Sequence, residues 1–192
     1  MTGRAPLAIL ISGRGSNMAA LVEASRAPDC PYEVVLVASN NPDAAGLGYA
    51  HRQGIATFAH SHKGLARADF DAIIDAELRR AGARYVALAG YMRILSPEFV
   101  AGWAGRMLNI HPSLLPLYKG LDTHARAIAA GDAEGGCSVH LVTPELDDGE
   151  VIARAPVPIL PGDTPELLAD RVLAAEHRLY PEALAAYIRR NG

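Results

Sequence analysis

Leu7-Ala-Ile-Leu-Ile-Ser-Gly-Arg-Gly-Ser-Asn17 joins an unbroken apolar run to a glycine pair, and a helical pattern over Asn17–Ala24 follows directly. Successive strand side chains point to opposite faces, so a run that is apolar at every position must be covered on both sides. That is the pattern of a strand in a parallel sheet flanked by helices. Working outward, short apolar runs recur at Glu33–Ser39, Ile55–Ala59, Tyr85–Ala89 and Arg106–Ile110, with helical patterns at Asp43–Gln53 and Asp69–Ala81 between them. In the third helix Phe70, Ile73, Ile74 and Leu78 share one stripe, while Asp71, Asp75, Glu77 and Arg79 fall elsewhere. Ser96-Pro97-Glu98 and Thr164-Pro165-Glu166 each read as N-cap, first helical residue and acidic first turn.

After His111 the rhythm changes. A proline-rich loop, Pro112–Gly120, in which Leu115-Pro116 could be cis, leads to a helical stretch Thr123–Ala130. Cys137–Val142 and Val151–Val157 then alternate as antiparallel strands joined through Pro144–Glu150, and a long final helix carries Pro181 as an expected break or kink. The predicted fold is α/β: a doubly wound, mostly parallel, Rossmann-like sheet with C-terminal antiparallel strands, one domain over residues 1–192.

The chain has 192 residues, half of them apolar, and a net charge of −3, which suits a globular domain with a sizeable core. No dense basic run marks a nucleic-acid surface, and no segment approaches the roughly 20 apolar residues of a membrane span. Cys30 and Cys137 stand far apart and form no C-x-x-C pair, and the N-terminus lacks a signal-peptide profile. These features predict a cytoplasmic protein with no nucleic-acid or membrane partner.

Three stretches carry chemistry. Gly13-Arg-Gly-Ser-Asn17 sits between strand and helix, where free helix N–H groups can hold an anion. A dinucleotide fingerprint would need glycine at Met18 and an acid near Ser39 and Asn40, and a Walker loop would need a lysine, so a single phosphate is the better guess. Asn109 and His111, two apart at a strand end, share a face and pair an amide donor with a proton carrier. Asp147 or Asp148 in the later acidic loop could orient the imidazole. Gly90-Tyr-Met-Arg-Ile-Leu95 is an apolar loop where a flat heterocycle could lie. His124 and His140 could be imagined as metal ligands with His111, but no H-E-x-x-H or deaminase pattern supports one, and no metal is expected. His51, His60 and His62 read as surface groups.

Leu10–Asn17, Gly90–Leu95, Asn109–Pro116 and Ser138–His140 with Glu145–Asp147, in that order, resemble the phosphoribosylglycinamide formyltransferases of purine biosynthesis. The resemblance runs from Leu7 to about Tyr180. It implies formyl transfer from the co-substrate 10-formyltetrahydrofolate to the amine of 5'-phosphoribosylglycinamide, by a monomer or homodimer. It assigns Asn109, His111 and Asp147 to catalysis, and Gly15, Ser16, Asn17 and Glu176 to the ribonucleotide. Arg67, Met92, Arg93, Ile94, Leu95, Thr143, Pro144, Glu145, Leu146 and Asp147 are assigned to the folate. Arg14, Asp122 and Asp148 depart from the residues usual in that family, Asp148 standing where glycine is frequent. Formyltetrahydrofolate hydrolases share the same core element but carry an added N-terminal regulatory domain. Methionyl-tRNA formyltransferases carry a C-terminal tRNA-binding domain.

Overall fold

A computed structural model describes residues 3–192. One seven-stranded sheet carries the fold: β1 (Ala5–Ile11), β2 (Tyr32–Ser39), β3 (Thr57–Ala59), β4 (Tyr85–Leu88), β5 (Met107–His111), β6 (Glu134–Leu141) and β7 (Val151–Pro158). Its order is β3-β2-β1-β4-β5-β6-β7. The first five strands run parallel, and β6 and β7 are antiparallel to their neighbours.

Both faces of β1 are used. Leu7, Ile9 and Ile11 pack with Met18 and Leu21 of α1 (Ser16–Ala24) and with Val172 and Leu184 of α6 (Pro165–Asn191). Ala8 and Leu10 join Phe70, Ile74 and Leu78 of α3 (Arg67–Arg80) and Phe99 and Val100 of α4 (Pro97–Gly102). Helices α2 (Ala45–Arg52) and α5 (Thr123–Ala130) complete the layers. Ser96 and Thr164 cap α4 and α6 by accepting from Phe99 N and Leu167 N, both at 3.3 Å.

Three expectations need correction. Pro181 neither ends nor divides the last helix, which continues for 27 residues. Its missing N–H costs about 3 kcal/mol. On both sides of it, however, Val172, Tyr180, Leu184 and Ile188 are buried against the sheet, each contributing roughly 1.5–3 kcal/mol. Strand β6 begins at Glu134 rather than Cys137, because Gly135 and Gly136 belong to it. A Cβ on Gly136 would lie 2.3 Å from Ala155 O and 2.7 Å from Leu114 Cδ2, so glycine here marks close packing of strands, not a loop. Asp71, expected on the polar side of α3, is 1% exposed.

The strand order matters for function. The strand order reverses at β1, which lies between β2 and β4, so the crossovers leave it toward opposite edges of the sheet. Open α/β sheets bind ligands at that switch point, beyond the carboxyl ends of the parallel strands. The loops after β1, β4 and β5, which are adjacent strands, all end there.

Candidate active site

The loop after β1 is shaped by two glycines. Gly15 has φ 74°, and a Cβ on it would come within 2.8 Å of Met18 Cε and 3.2 Å of Gly46 Cα. Gly46, at the start of α2, donates from its N–H to Gly13 O at 3.0 Å. The loop therefore lies flat against α2 and delivers the chain to α1 without a side-chain cap. The first N–H groups of α1 remain available to an anion. Ser16 is exposed beside them, but the Asn17 side chain is turned inward and donates from Nδ2 to Glu176 Oε2 at 2.7 Å. Of the two polar side chains expected at a phosphate, Ser16 faces outward, while Asn17 ties the loop to α6.

The loop after β4 is tethered to β1. Ser12 Oγ accepts from Met92 N at 2.8 Å and donates to Asn40 Oδ1 at 2.6 Å. His62, expected as a surface group, also joins this corner, with Nδ1 3.2 Å from Asn40 Nδ2 and 3.0 Å from Asn40 O. Met92 is 71% exposed and Ile94 57%, while Leu95 is half-buried. Beneath them Arg93 lies over the Phe70 ring, 4.9 Å from its centroid, and 4.0 Å from Asp71 Oδ1. Asp71 accepts from Ser96 N at 2.6 Å. Burial pushes its carboxyl up, a push that Ser96, Arg93 and Arg67 only partly offset. Arg67 itself is exposed at the start of α3.

Strand β5 holds the centre. Met107 packs in the α3/α4 cluster, whereas Leu108 and Ile110 face the α6 side, so Asn109 and His111 project with Met107 onto the α3/α4 face. Antiparallel pairing sets His140 directly opposite Asn109, and cross-strand partners share a face. The loop Val142–Glu150 folds back to place Asp147 against both. Asp147 Oδ2 lies 3.3 Å from His111 Nδ1, and Oδ1 lies 3.6 Å from His140 Nε2. Gly120 N donates to Asp147 Oδ2 at 2.9 Å. Asp147 thus answers the choice that composition left between it and Asp148: Asp148 is exposed and pairs with Lys119. The left-handed residue of this loop is Asp147, with φ 51°, one position before Asp148, where the resembling family frequently has glycine.

Hydrogen-bond partners assign the ring protons. His140 Nδ1 faces Leu141 O at 2.8 Å and so carries its proton there, leaving Nε2 to accept from Asn109 Nδ2 at 3.1 Å. The second N–H of the Asn109 amide stays free to donate. His111 meets acceptors at both nitrogens, Tyr118 O at Nε2 (3.0 Å) and Asp147 at Nδ1, an arrangement satisfied by an imidazolium. Burial alone would raise the Asp147 carboxyl. The neighbouring His140 side chain, the Gly120 N–H and the charge of His111 outweigh that and hold it below its usual value.

The polypeptide after His111 is pinned throughout. Ser138 Oγ accepts from Leu115 N (3.0 Å) and donates to Ser113 O (2.7 Å), and Thr123 Oγ1 donates to Pro112 O at 2.8 Å. The Leu115–Pro116 peptide is cis. Leu146, on the acidic loop, is 58% exposed, while Thr143 is half-buried, its Oγ1 donating to Glu145 O at 3.2 Å. Pro144 and Glu145 are exposed. Among the described residues, no group of three or more His, Cys, Asp or Glu side chains is placed to hold a metal ion, and no helix is long and apolar enough to cross a membrane.

The structure places Asn109, His111 and Asp147 around one point, together with His140, Tyr118 and Gly120, which sequence reasoning passed over. His140 had been weighed only as a metal ligand. Its signal was the alternation Ser138-Val-His140 in a strand pairing with β5, usable once the register was known. Tyr118 and Gly120 contribute backbone atoms, which leave no trace in residue type.

Comparison with known proteins places the chain in a family. The formyl transferase family profile matches residues 5–184. The chain is 46% identical to the phosphoribosylglycinamide formyltransferase of Escherichia coli over 176 residues, covering 91% of this chain and 83% of that protein. It is also 46% identical to the trifunctional purine biosynthetic protein adenosine-3 of Bos taurus, but spans only 18% of that protein's length while 94% of this chain is matched. Among solved structures, phosphoribosylglycinamide formyltransferase from Brucella melitensis superposes with a TM-score of 0.92 at 50% identity, covering 96% of each chain. Glycinamide ribonucleotide transformylase 1 from Symbiobacterium toebii gives 0.95 at 39% identity, over 99% of this chain and 90% of that one.

Proposed function

The chain belongs to the formyl transferase family, and from that premise we propose that it transfers the formyl group of 10-formyltetrahydrofolate to the amine of 5'-phosphoribosylglycinamide. The observation that carries this reading is the meeting of Asn109, His111 and Asp147 on one face, with His140 holding the Asn109 amide. The ribonucleotide phosphate sits at the Gly13–Asn17 loop, against the open end of α1, and Glu176 meets the sugar. The folate lies along Met92–Leu95 and Thr143–Asp147, whose exposed apolar side chains supply a wall for a flat ring system. Arg67, at the mouth, offers a cation to the folate.

The reaction is one of addition and elimination. The amine nitrogen attacks the formyl carbon, and the carbonyl oxygen becomes an oxyanion. Asn109 donates to that oxyanion through its free N–H, and the positive charge of the His111 imidazolium, whose two N–H groups are held by Tyr118 O and Asp147, stabilises it electrostatically. Asp147 keeps the imidazolium paired and helps carry away the proton that the attacking nitrogen loses. Collapse breaks the bond from the formyl carbon to N10, which takes up a proton. N-formyl product and tetrahydrofolate leave, with no covalent enzyme intermediate.

Loss of 10-formyltetrahydrofolate, followed by absorbance with and without the ribonucleotide, tests the reading. Turnover that requires the ribonucleotide supports a transferase. Donor loss at the same rate in its absence would indicate a hydrolase instead.

A further inference from the structure

One loop touches both members of the His111–Asp147 pair through its backbone. Tyr118 O receives the hydrogen bond of His111 Nε2 at 3.0 Å, and two residues later Gly120 N donates to Asp147 Oδ2 at 2.9 Å. Tyr118 itself has φ 56°, a left-handed conformation that a bulky side chain adopts at a cost. Among the described residues the non-glycine positions with positive φ are Tyr118, Asp122 and Asp147, and all border this site. Such outliers persist where the surroundings over-determine them, and they concentrate at functional sites.

The surroundings of Tyr118 are specific. Its hydroxyl donates to Asp132 Oδ2 at 2.6 Å, across the far end of α5. The Arg126 guanidinium stands 5.2 Å from the ring centroid, and its Nη1 donates to Lys119 O at 2.7 Å and Leu121 O at 3.2 Å. Ser113 Oγ donates to Leu117 O at 2.7 Å, closing the loop from its other side. The side chains thus hold a loop whose backbone does the positioning.

We propose that the Tyr118–Asp132 hydrogen bond is a positioning latch for His111: it fixes the Tyr118 carbonyl on Nε2 and keeps Gly120 on Asp147. Tyr118 and Asp132 touch no reacting atom; they act through the histidine. The charged and titratable groups that face His111 are Asp147 from the β6–β7 loop and His124 from α5, with His140 of β6 reaching it through Asp147. The hydrogen-bond partner of Nε2 is the Tyr118 carbonyl, which Ser113 Oγ also reaches at 3.3 Å, while Asp147 holds the ring from Nδ1. The inference deepens the formyl-transfer reading and rests on it for the role of His111.

The test uses the full chain with Tyr118→Phe, which removes one oxygen and leaves the ring, and with Asp132→Ala and Asp132→Asn. Tyr118→Phe and Asp132→Ala should lower kcat roughly 10-fold, with KM for both substrates within about twofold, because a displaced acid/base group costs rate more than binding. Asp132→Asn, which keeps an acceptor oxygen, should restore most of the rate. Independently of turnover, the His111 Nε2 proton should give a slowly exchanging NMR signal in the native chain and lose that protection in Tyr118→Phe. Preserved protection together with native kcat in Tyr118→Phe overturns the latch. An equal loss of kcat in Asp132→Asn and Asp132→Ala also overturns it, since the hydrogen bond would then not be what matters. If the native chain shows no formyl transfer, the formyl-transfer reading fails, and the proton signal alone still decides the latch.

Discussion

Asn17 on α1 and Glu176 on α6, 159 residues apart, are joined by a buried 2.7 Å hydrogen bond from Nδ2 to Oε2. The contact ties the glycine loop to the longest helix of the fold, so the proposed phosphate site and the proposed sugar contact move as one body. Asn17 Oδ1 has no partner of its own among the described residues, which leaves an acceptor beside the place where the ribonucleotide would lie.

Glu176 has a pH signature. Burial pushes its carboxyl above the ordinary 4.5, and the Asn17 hydrogen bond only partly opposes this. The folded chain therefore holds a proton that the unfolded chain releases, so this residue's contribution to stability falls as pH rises from below the ordinary value through the raised one. Glu176→Gln should melt like the native chain near pH 4 and at a higher temperature near about pH 8. KM for the ribonucleotide should rise on the order of 10-fold through loss of a charge-assisted contact. Thermal melts at both pH values and a KM measurement check the pair; an unchanged melting difference across pH contradicts the assignment.

Gly46 tests the glycine loop from beneath. A Cβ there would lie 2.6 Å from Ile11 Cδ1 and 3.1–3.2 Å from Arg14 O and Gly13 O. Gly46→Ala should cost about 1–3 kcal/mol of stability by overpacking. KM for the ribonucleotide should rise while KM for the folate stays close to native, because Arg14 and Gly13 are displaced and the β4 loop is not. Denaturant unfolding and the two KM values are the measurements; equal changes in both KM values would show that the two loops are not separate.

His140 orients Asn109 rather than meeting substrate in this geometry. Replacing it by alanine removes the acceptor that fixes the amide, and kcat should fall on the order of 10-fold with little change in KM. The loss should be smaller than that of Asn109→Ala, which removes the donor itself. Steady-state rates of the two variants, side by side, decide the order.

Much of this was legible in the residues. Leu7–Ile11 announced a strand buried on both faces, and Asn109 and His111 announced a shared face by their spacing of two. What the residues could not announce were relationships made by distant pairing. His140 became part of the site through the β5–β6 register, and Asp71 became buried because Ser96 N and Arg93 met it from another loop. The inward turn of Asn17 followed from Glu176, far along the chain. Pro181 misled because a local rule about helix interiors was outweighed by burial along α6.

The central claim is that Asn109, His111 and Asp147 act together on a formyl group bound between donor and amine. Single-turnover transfer of labelled formyl from 10-formyltetrahydrofolate to 5'-phosphoribosylglycinamide, in the native chain and in His111→Ala and Asp147→Ala, addresses it most directly. Label should appear in the ribonucleotide product, with the rate falling by a factor on the order of 10²–10⁴ in each variant while both substrates still bind. Near-native transfer in either variant, or label released as formate without reaching the ribonucleotide, would contradict it.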